Sequence, residues 1–170
     1  MFENYDEDES ATWIDTAQIC LNGHEINASF TKNPIYNKNY CPDCGEKTIF
    51  ECPDCHEKIP GEIHYNNVIG GSDFKLPTFC THCGKSYPWT NKRLKAAQDL
   101  AAELDELNED ERKMLDKSID EIIKNDPQAA VGATRFKKLM LKVGNSAGSI
   151  LKDVITEVAS ETAKKVLLGN

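Results

Sequence analysis

The sequence predicts an α+β protein: a small N-terminal double zinc ribbon of short antiparallel strands, followed by an all-α C-terminal region of three to four helices. Two observations support this fold class. All seven cysteines of the 170-residue chain lie between residues 20 and 83, and six of them form three C-x-x-C pairs. After Pro88 cysteine disappears, and apolar residues recur at the three- and four-residue spacing of amphipathic helices.

Composition and charge divide the chain into four predicted segments. Residues 1–12 are an acidic tail that we expect to be disordered, and residues 13–87 are the double ribbon. Residues 88–126 are a helical pair, and residues 127–170 are C-terminal helices with a glycine-rich hinge at 144–149. The net charge is −8, which argues against duplex nucleic acid as the main ligand, because phosphate binding needs a basic surface. The last segment alone is basic, with seven bases and three acids (+4).

The cysteine count and spacing predict two metal sites. His24 and the seven cysteines make eight ligands, enough for two tetrahedral zinc ions with no thiol left over. Sixteen residues separate His24 from Cys41 and 24 separate Cys55 from Cys80, room for the strands of a ribbon, whereas the seven-residue gap after Cys44 is a connector. The predicted ligands are Cys20, His24, Cys41 and Cys44 at site 1, and Cys52, Cys55, Cys80 and Cys83 at site 2.

The residues around the pairs favour tight metal-binding turns. Pro follows the first cysteine in two pairs and Gly follows the second in two, while His56 takes the glycine position in the middle pair and tolerates a left-handed backbone. The alternatives are that His24 is a surface histidine of a turn, and that the pairs have a redox role. The redox alternative requires one pair at the start of a helix in a βαβ unit, which this pattern does not fit.

Capping signals divide the second half of the chain into helices. We predict a helix from Thr90 to about Leu107, and a second that begins with a capping box at Asn108 and Glu111. A third begins at Pro127, with Asp126 as its N-cap, and the last runs from about 150 to 168.

Two surfaces of these helices are candidate partner-binding sites. The third predicted helix, interrupted at Gly132, carries the basic residues Arg135, Lys138 and Lys142 on one face. The alternatives for this face are a solvated surface, contact with an acidic partner such as residues 1–9 of this chain, and phosphate binding.

The last predicted helix carries an apolar stripe that includes Leu151, Ile155 and Val158. This stripe either packs on its own domain, pairs with another copy of the chain, or lies on a membrane surface. Acidic residues on the opposite face disfavour the membrane alternative.

The chain also resembles a family of uncharacterised bacterial double zinc-ribbon proteins. The resemblance begins at residues 17–24, includes the Cys-Pro-Asp-Cys turns and residues 87–90, and extends to residues 135–139 and 160–165. The order of acidic start, double ribbon and helical C-terminus is the same. The resemblance implies metal binding and a bacterial origin, and it implies no activity.

The sequence predicts a zinc-stabilised interaction or adaptor module whose helical C-terminus binds a protein partner or self-assembles. A nucleic-acid-binding zinc ribbon is the alternative, and an enzyme without a recognisable motif is a third reading. We expect no enzymatic activity, because no catalytic motif occurs and both metal sites have four protein ligands. No small-molecule substrate is evident, and the lack of a signal peptide or membrane-spanning segment predicts a cytoplasmic protein.

Overall fold

The computed structural model describes residues 12–65 and 74–169, and the chain divides into two compact units, Met1–Trp89 and Thr90–Asn170. Apart from Thr12, the predicted acidic tail lies outside the described residues. The α+β class is confirmed, because short antiparallel strands in the first half are followed by five helices within the described ranges. None of these helices is long and apolar enough to cross a membrane.

The described strands of the ribbon unit are short and form two antiparallel sheets. They are β1 (Thr12–Thr16), β2 (Gln18–Cys20), β3 (Glu25–Asn27), β4 (Thr48–Ile49) and β5 (Pro60–Tyr65). Strand β2 lies between β3 and β4, and β1 pairs with β5. Because β2 ends at Cys20, the three-stranded sheet places the first predicted ligand directly at a sheet end.

The ribbon unit has a small buried core. The side chains that form it are Ala17, Ile19, Cys52, Ile59, Cys80, Tyr87 and Trp89. Strand β5 crosses close to this core at Gly61, where a side chain would collide with the backbone of Ala28 and Thr16. Glycine is therefore required here by the close approach of two chain segments.

A buried carboxylate ties β1 to the loop that follows β3. The Asp15 carboxylate accepts hydrogen bonds from the backbone N–H groups of Thr16 (2.6 Å), Thr31 (3.1 Å) and Lys32 (3.0 Å), and from the Thr31 hydroxyl. Burial alone would raise the pKa of Asp15, but these four hydrogen bonds outweigh it and lower the pKa below the usual value. Asp15 is thus ionised in the folded ribbon and satisfied by its neighbours.

The helical unit is built from five helices that begin and end at identifiable caps. They are α1 (Pro88–Ala102), α2 (Glu109–Ile123), α3 (Pro127–Val143), α4 (Asn145–Val158) and α5 (Glu161–Leu168). The predicted capping box is present, because the Asn108 side chain accepts from the Glu111 N–H and the Glu111 side chain accepts from the Asn108 N–H. Asp126 caps α3 with Pro127 in its first turn, also as predicted. One core, extending from Ala97 to Leu167, joins the helices.

Two helix predictions were wrong: the boundaries of the first helix and the interruption of the third. The first helix begins at Pro88, before Thr90, and ends at Ala102, five residues before the predicted Leu107. Helix α3 is continuous through Gly132. A β-carbon at Gly132 would lie 2.8 Å from Glu121 Cβ and 3.0 Å from the Ser118 carbonyl oxygen, so this glycine allows α3 to pack closely on α2.

The glycine-rich hinge predicted at 144–149 is also wrong in this structure. Only Gly144 breaks the helical path, with φ at +90°, and α4 begins at the next residue. Gly148 lies inside α4, and a β-carbon there would come within 3.3 Å of the Met140 carbonyl oxygen. Glycine therefore serves close helix packing at this position.

The predicted last helix consists of two helices. The chain is extended at Ala159, Ser160 caps α5 through its side chain, and the Ser160 N–H donates to the Ile122 carbonyl oxygen at 3.0 Å. This long-range hydrogen bond stabilises the break between α4 and α5. The described helices are therefore five, whereas the prediction was three to four.

The apolar stripe of the last predicted helix is buried within the helical unit. Leu151 is 1% exposed, Ile155 is fully buried and Val158 is 4% exposed, and the first two belong to the shared helical core. These three residues were predicted as candidate partner-binding residues. The structure instead places their side chains against their own unit, because α4 packs against α2, α3 and α5.

Candidate metal centres

Three segments of the ribbon unit adopt the same turn around a C-x-x-C pair. Each is closed by an antiparallel bridge between residues seven apart: Tyr40 and Lys47, Glu51 and Lys58, and Phe79 and Ser86. In each turn the N–H of the first cysteine donates to the carbonyl oxygen five residues later, at 2.8 Å. This local bonding fixes the two sulfur atoms of a pair on the same side of the turn.

The residue after each pair has the left-handed backbone that the sequence predicts. The φ angles are +70° at Gly45, +73° at Gly84 and +61° at His56, the one described non-glycine residue with positive φ. In each turn the N–H of this residue donates to the carbonyl oxygen of the first cysteine at 2.9 Å. The middle turn therefore has the same geometry as the others despite its histidine.

The fourth ligand turn, at Cys20 to His24, has no second cysteine. The Cys20 N–H donates to the His24 carbonyl oxygen at 2.9 Å, and Gly23 has φ at +90°. The N–H groups of Asn22 and His24 both donate to Cys20 Sγ at 3.3 Å. Desolvation by burial nevertheless raises the pKa of Cys20, and these two donors offset only part of that effect.

The structure brings the eight predicted ligands together in the two predicted sets of four. Within each set, every pair of ligand atoms lies within 4.8 Å. At site 1, Cys20 Sγ lies 3.9 Å from Cys44 Sγ and 3.5 Å from His24 Nδ1, and His24 Nδ1 lies 3.4 Å from Cys41 Sγ.

At site 2, Cys52 Sγ lies 3.8 Å from Cys83 Sγ, and Cys55 Sγ lies 3.6 Å from Cys80 Sγ. With metal bonds of about 2.3 Å to sulfur and about 2.05 Å to nitrogen, a tetrahedron has edges of about 3.8 Å between sulfurs and about 3.5 Å between sulfur and nitrogen. The observed separations at both sites match these edges. Each cluster can therefore hold one tetrahedral metal ion.

The electrostatics of site 2 favour a cation at its centre. The N–H groups of Cys83 and His82 lower the pKa of Cys80 to about 6. The Glu57 N–H lowers the pKa of Cys55, but desolvation and the neighbouring Cys83, Cys80 and Cys52 outweigh it and raise the pKa to about 12. The neighbouring thiols thus cannot all be ionised without a cation, because each thiolate raises the pKa of the next thiol. The positive charge of a bound dication offsets this repulsion between thiolates.

The first site also contains a polar contact that the sequence reasoning missed. The Asn22 side-chain amide donates to Cys44 Sγ at 3.4 Å, which links the Cys20–His24 turn to the turn at Cys41–Cys44. The Glu46 N–H contributes most to lowering the pKa of Cys44, to about 6, and Asn22 adds to it. The sequence offered one indication of this role, since Asn22 directly precedes the glycine of the C-x-x-G-H motif.

The other histidines of the ribbon unit are not placed in either cluster. The most buried of them, His64, accepts from Lys32 Nζ through Nδ1 (3.1 Å), so its Nε2–H donates to Ser29 Oγ (3.2 Å). Ser29 in turn donates to Glu62 at 2.5 Å. These contacts form a continuous hydrogen-bond chain from Lys32 to Glu62. The sequence gives no indication of it, because each hydrogen bond joins residues 32 to 35 positions apart.

The predicted basic face of α3 is largely paired within the helical unit. Arg135 Nη1 lies 3.0 Å from Glu121 Oε2, and Lys142 Nζ lies 2.6 Å from Glu111 Oε2. Of the three predicted residues only Lys138 has no ion pair with a described residue. Two members of this candidate partner-binding face thus contact acids of α2.

The fold and the two clusters define a protein in which a ribbon with two candidate metal sites is followed by a helical unit. Residues 13–167 match the family described as an uncharacterized protein conserved in bacteria (DUF2321), and the chain belongs to this family. The predicted family resemblance is confirmed. Neither a curated protein nor a solved structure gives a significant match to the chain.

Proposed function

We propose that this protein is a non-catalytic binding module in which two zinc ions stabilise the ribbon and the helical unit binds an acidic protein segment. Zinc is supported by the donor sets, because three thiolates with one imidazole, or four thiolates, in a tetrahedron are typical of structural zinc. None of the seven cysteines is in a disulfide. Because cysteines stay reduced in a reducing compartment, the proposal includes a cytoplasmic location.

The metal geometry supports a structural role. Four protein ligands fill a tetrahedron, whereas catalytic zinc keeps one position open for water or substrate. The cluster of Ser29, His64 and Asp15 does not provide a nucleophile either. Ser29 is 3% exposed and donates to Glu62, and His64 Nδ1 contacts Lys32 where a catalytic triad has a carboxylate.

A groove in the helical unit carries the binding half of the proposal. It has a volume of about 410 Å³ and lies between α3, α4 and the end of α5. Phe136, Met140, Leu141 and Leu167 form its apolar lining. Leu141 is 84% exposed, the most exposed of the large apolar side chains described, so the groove presents an apolar side chain to solvent.

Charge complementarity supports an acidic partner. Lys137 and Lys152 line the groove, and none of the acidic residues that the structure describes lines it. Lys137 Nζ also donates to the Val166 carbonyl oxygen at 3.2 Å, which holds it at the rim. Residues 127–170 have a net charge of +4 in a chain of −8. An acidic segment with apolar side chains therefore fits this groove by both of its chemical properties.

Binding of a labelled peptide tests this proposal. The probe is a fluorescein-labelled amphipathic peptide of Leu and Glu, and the reference is the same peptide with Lys in place of Glu. We expect fluorescence anisotropy to show binding of the acidic peptide that weakens with salt. Lys137→Glu with Lys152→Glu should reduce the affinity by about tenfold or more, because charge reversal at an interface is strongly unfavourable.

Lys113→Glu is the matched control, since Lys113 is an exposed lysine of α2 paired with Glu109. Its affinity should stay within about twofold of the unaltered protein. Equal binding of the lysine peptide would overturn the proposed partner class. Tighter binding of a single-stranded oligonucleotide would favour the nucleic-acid alternative instead.

A further inference from the structure

Tyr87 is a completely buried side chain whose hydroxyl group has no hydrogen bond to any described group of the protein. A buried hydroxyl without a partner destabilises the folded state, and such groups are rare in folded proteins. The ring is held firmly, because it stacks on Trp89 with centroids 4.6 Å apart, and the Tyr87 N–H donates to the Thr78 carbonyl oxygen at 3.1 Å. The hydroxyl therefore cannot turn away to reach solvent.

The surroundings of the hydroxyl connect it to the second metal cluster. Tyr87 belongs to the same buried core as Cys52 and Cys80, two of the predicted ligands of site 2. Burial raises the pKa of the Tyr87 hydroxyl, and the neighbouring Cys80 thiol adds to this effect. Trp89, the stacking partner, is already satisfied, since its Nε1 donates to the Pro77 carbonyl oxygen at 2.8 Å. The unpaired donor of this core thus shares its surroundings with ligands of site 2.

A protonated thiol is a weak acceptor, whereas a thiolate accepts a strong, charge-assisted hydrogen bond. We propose that Tyr87 is a positioning residue of site 2, whose hydroxyl donates to the Cys80 thiolate when the cluster holds its metal ion. Four thiolates around Zn²⁺ leave a net charge of −2, and a buried donor offsets part of it. Groups that orient metal ligands in this way typically change metal affinity by 10- to 100-fold.

This inference rests on the zinc-binding half of the proposed function, and Tyr87→Phe tests it in the full chain. The substitution keeps the ring and removes only the hydroxyl. Tyr40→Phe is the matched control, because Tyr40 directly precedes a ligand cysteine but is 66% exposed. Zinc transfer to a chromogenic chelator gives the affinity of each ion, and cobalt substitution gives the sulfur-to-metal charge-transfer band of the all-thiolate site.

We expect Tyr87→Phe to weaken one of the two metal sites by about tenfold and to shift the charge-transfer band of the all-thiolate site, while Tyr40→Phe changes neither. An unchanged affinity and band in Tyr87→Phe, or tighter zinc binding, would overturn the inference and leave the two-zinc ribbon intact. Failure of the unaltered protein to bind any zinc or cobalt would overturn both the inference and the zinc half of the proposed function.

Discussion

The ribbon unit and the helical unit bury apolar surface to different extents. Among the residues that the structure describes, seventeen buried side chains of the helical unit form one continuous cluster, from α1 to α5. The corresponding cluster of described ribbon residues has seven, and two of them are the predicted ligands Cys52 and Cys80. The sulfur atoms that would bind the metal ion therefore also fill the core.

This difference indicates where each unit obtains its stability. A buried Leu or Ile side chain contributes about 1.5–3 kcal/mol, so the helical core can offset the conformational entropy of its own helices. The ribbon has strands of two to six residues and few such side chains. In zinc-finger peptides a structural zinc ion contributes about 10–16 kcal/mol, so the zinc ions proposed here would be a main source of the ribbon's stability. Three experiments separate the two sources of stability.

Metal removal should have the largest effect and should act on the ribbon alone. A strong chelator is expected to abolish the near-ultraviolet circular dichroism of the stacked Tyr87–Trp89 pair, because Cys52 and Cys80 pack in the same core. Helical circular dichroism at 222 nm should largely persist. A ribbon signal that survives complete removal of zinc would show that the small apolar core is sufficient by itself.

A cavity in the helical core should have the second largest effect and should act on the helical unit alone. Ile119 is fully buried at the centre of this cluster, and Ile119→Ala is expected to cost about 2–5 kcal/mol in urea unfolding followed at 222 nm. The zinc content, measured by mass spectrometry, should not change. The control Leu141→Ala, at an exposed position, should stay within about 0.5 kcal/mol. Loss of zinc from Ile119→Ala would show that the two units are coupled.

Replacement of Asp15 should have the smallest effect and should act on the ribbon. Asp15→Asn places an amide group against backbone N–H donors, so we expect a loss of about 1.5–3 kcal/mol at pH 7, followed by tryptophan fluorescence during urea unfolding. Asp43→Asn, an exposed position in the same unit, is the control.

The pH dependence of this difference follows from the lowered pKa of Asp15. The folded-state pKa lies below the unfolded value of about 3.9, so the carboxylate contributes fully above that value and less as the pH falls through it. The difference between Asp15→Asn and the unaltered protein should therefore be constant from pH 7 to pH 5 and shrink below about pH 4. A difference that grows on acidification would contradict the assignment of an ionised Asp15.

Much of the candidate metal centres could be predicted from the sequence, because each ligand pair is positioned by a local turn. The backbone of Cys41–Gly45 closes on itself with hydrogen bonds inside the turn, and Gly45 adopts the required positive φ without help from distant residues. The capping box at Asn108 and Glu111 was predictable for the same reason. The Asp15 and His64 networks were not, because the partners in their long-range contacts lie 16 to 49 residues apart across the ribbon unit.

The sequence by itself determined the number and pairing of the ligand clusters, the α+β class and the beginnings of α2 and α3, since these depend on spacing and on contacts within a few residues. The tertiary structure decided the uses of Gly132 and Gly148, the break at Ser160, and the burial of Leu151 and Ile155. Each of these depends on which helix lies opposite. That arrangement is set by packing between segments far apart in the chain, which local periodicity does not encode.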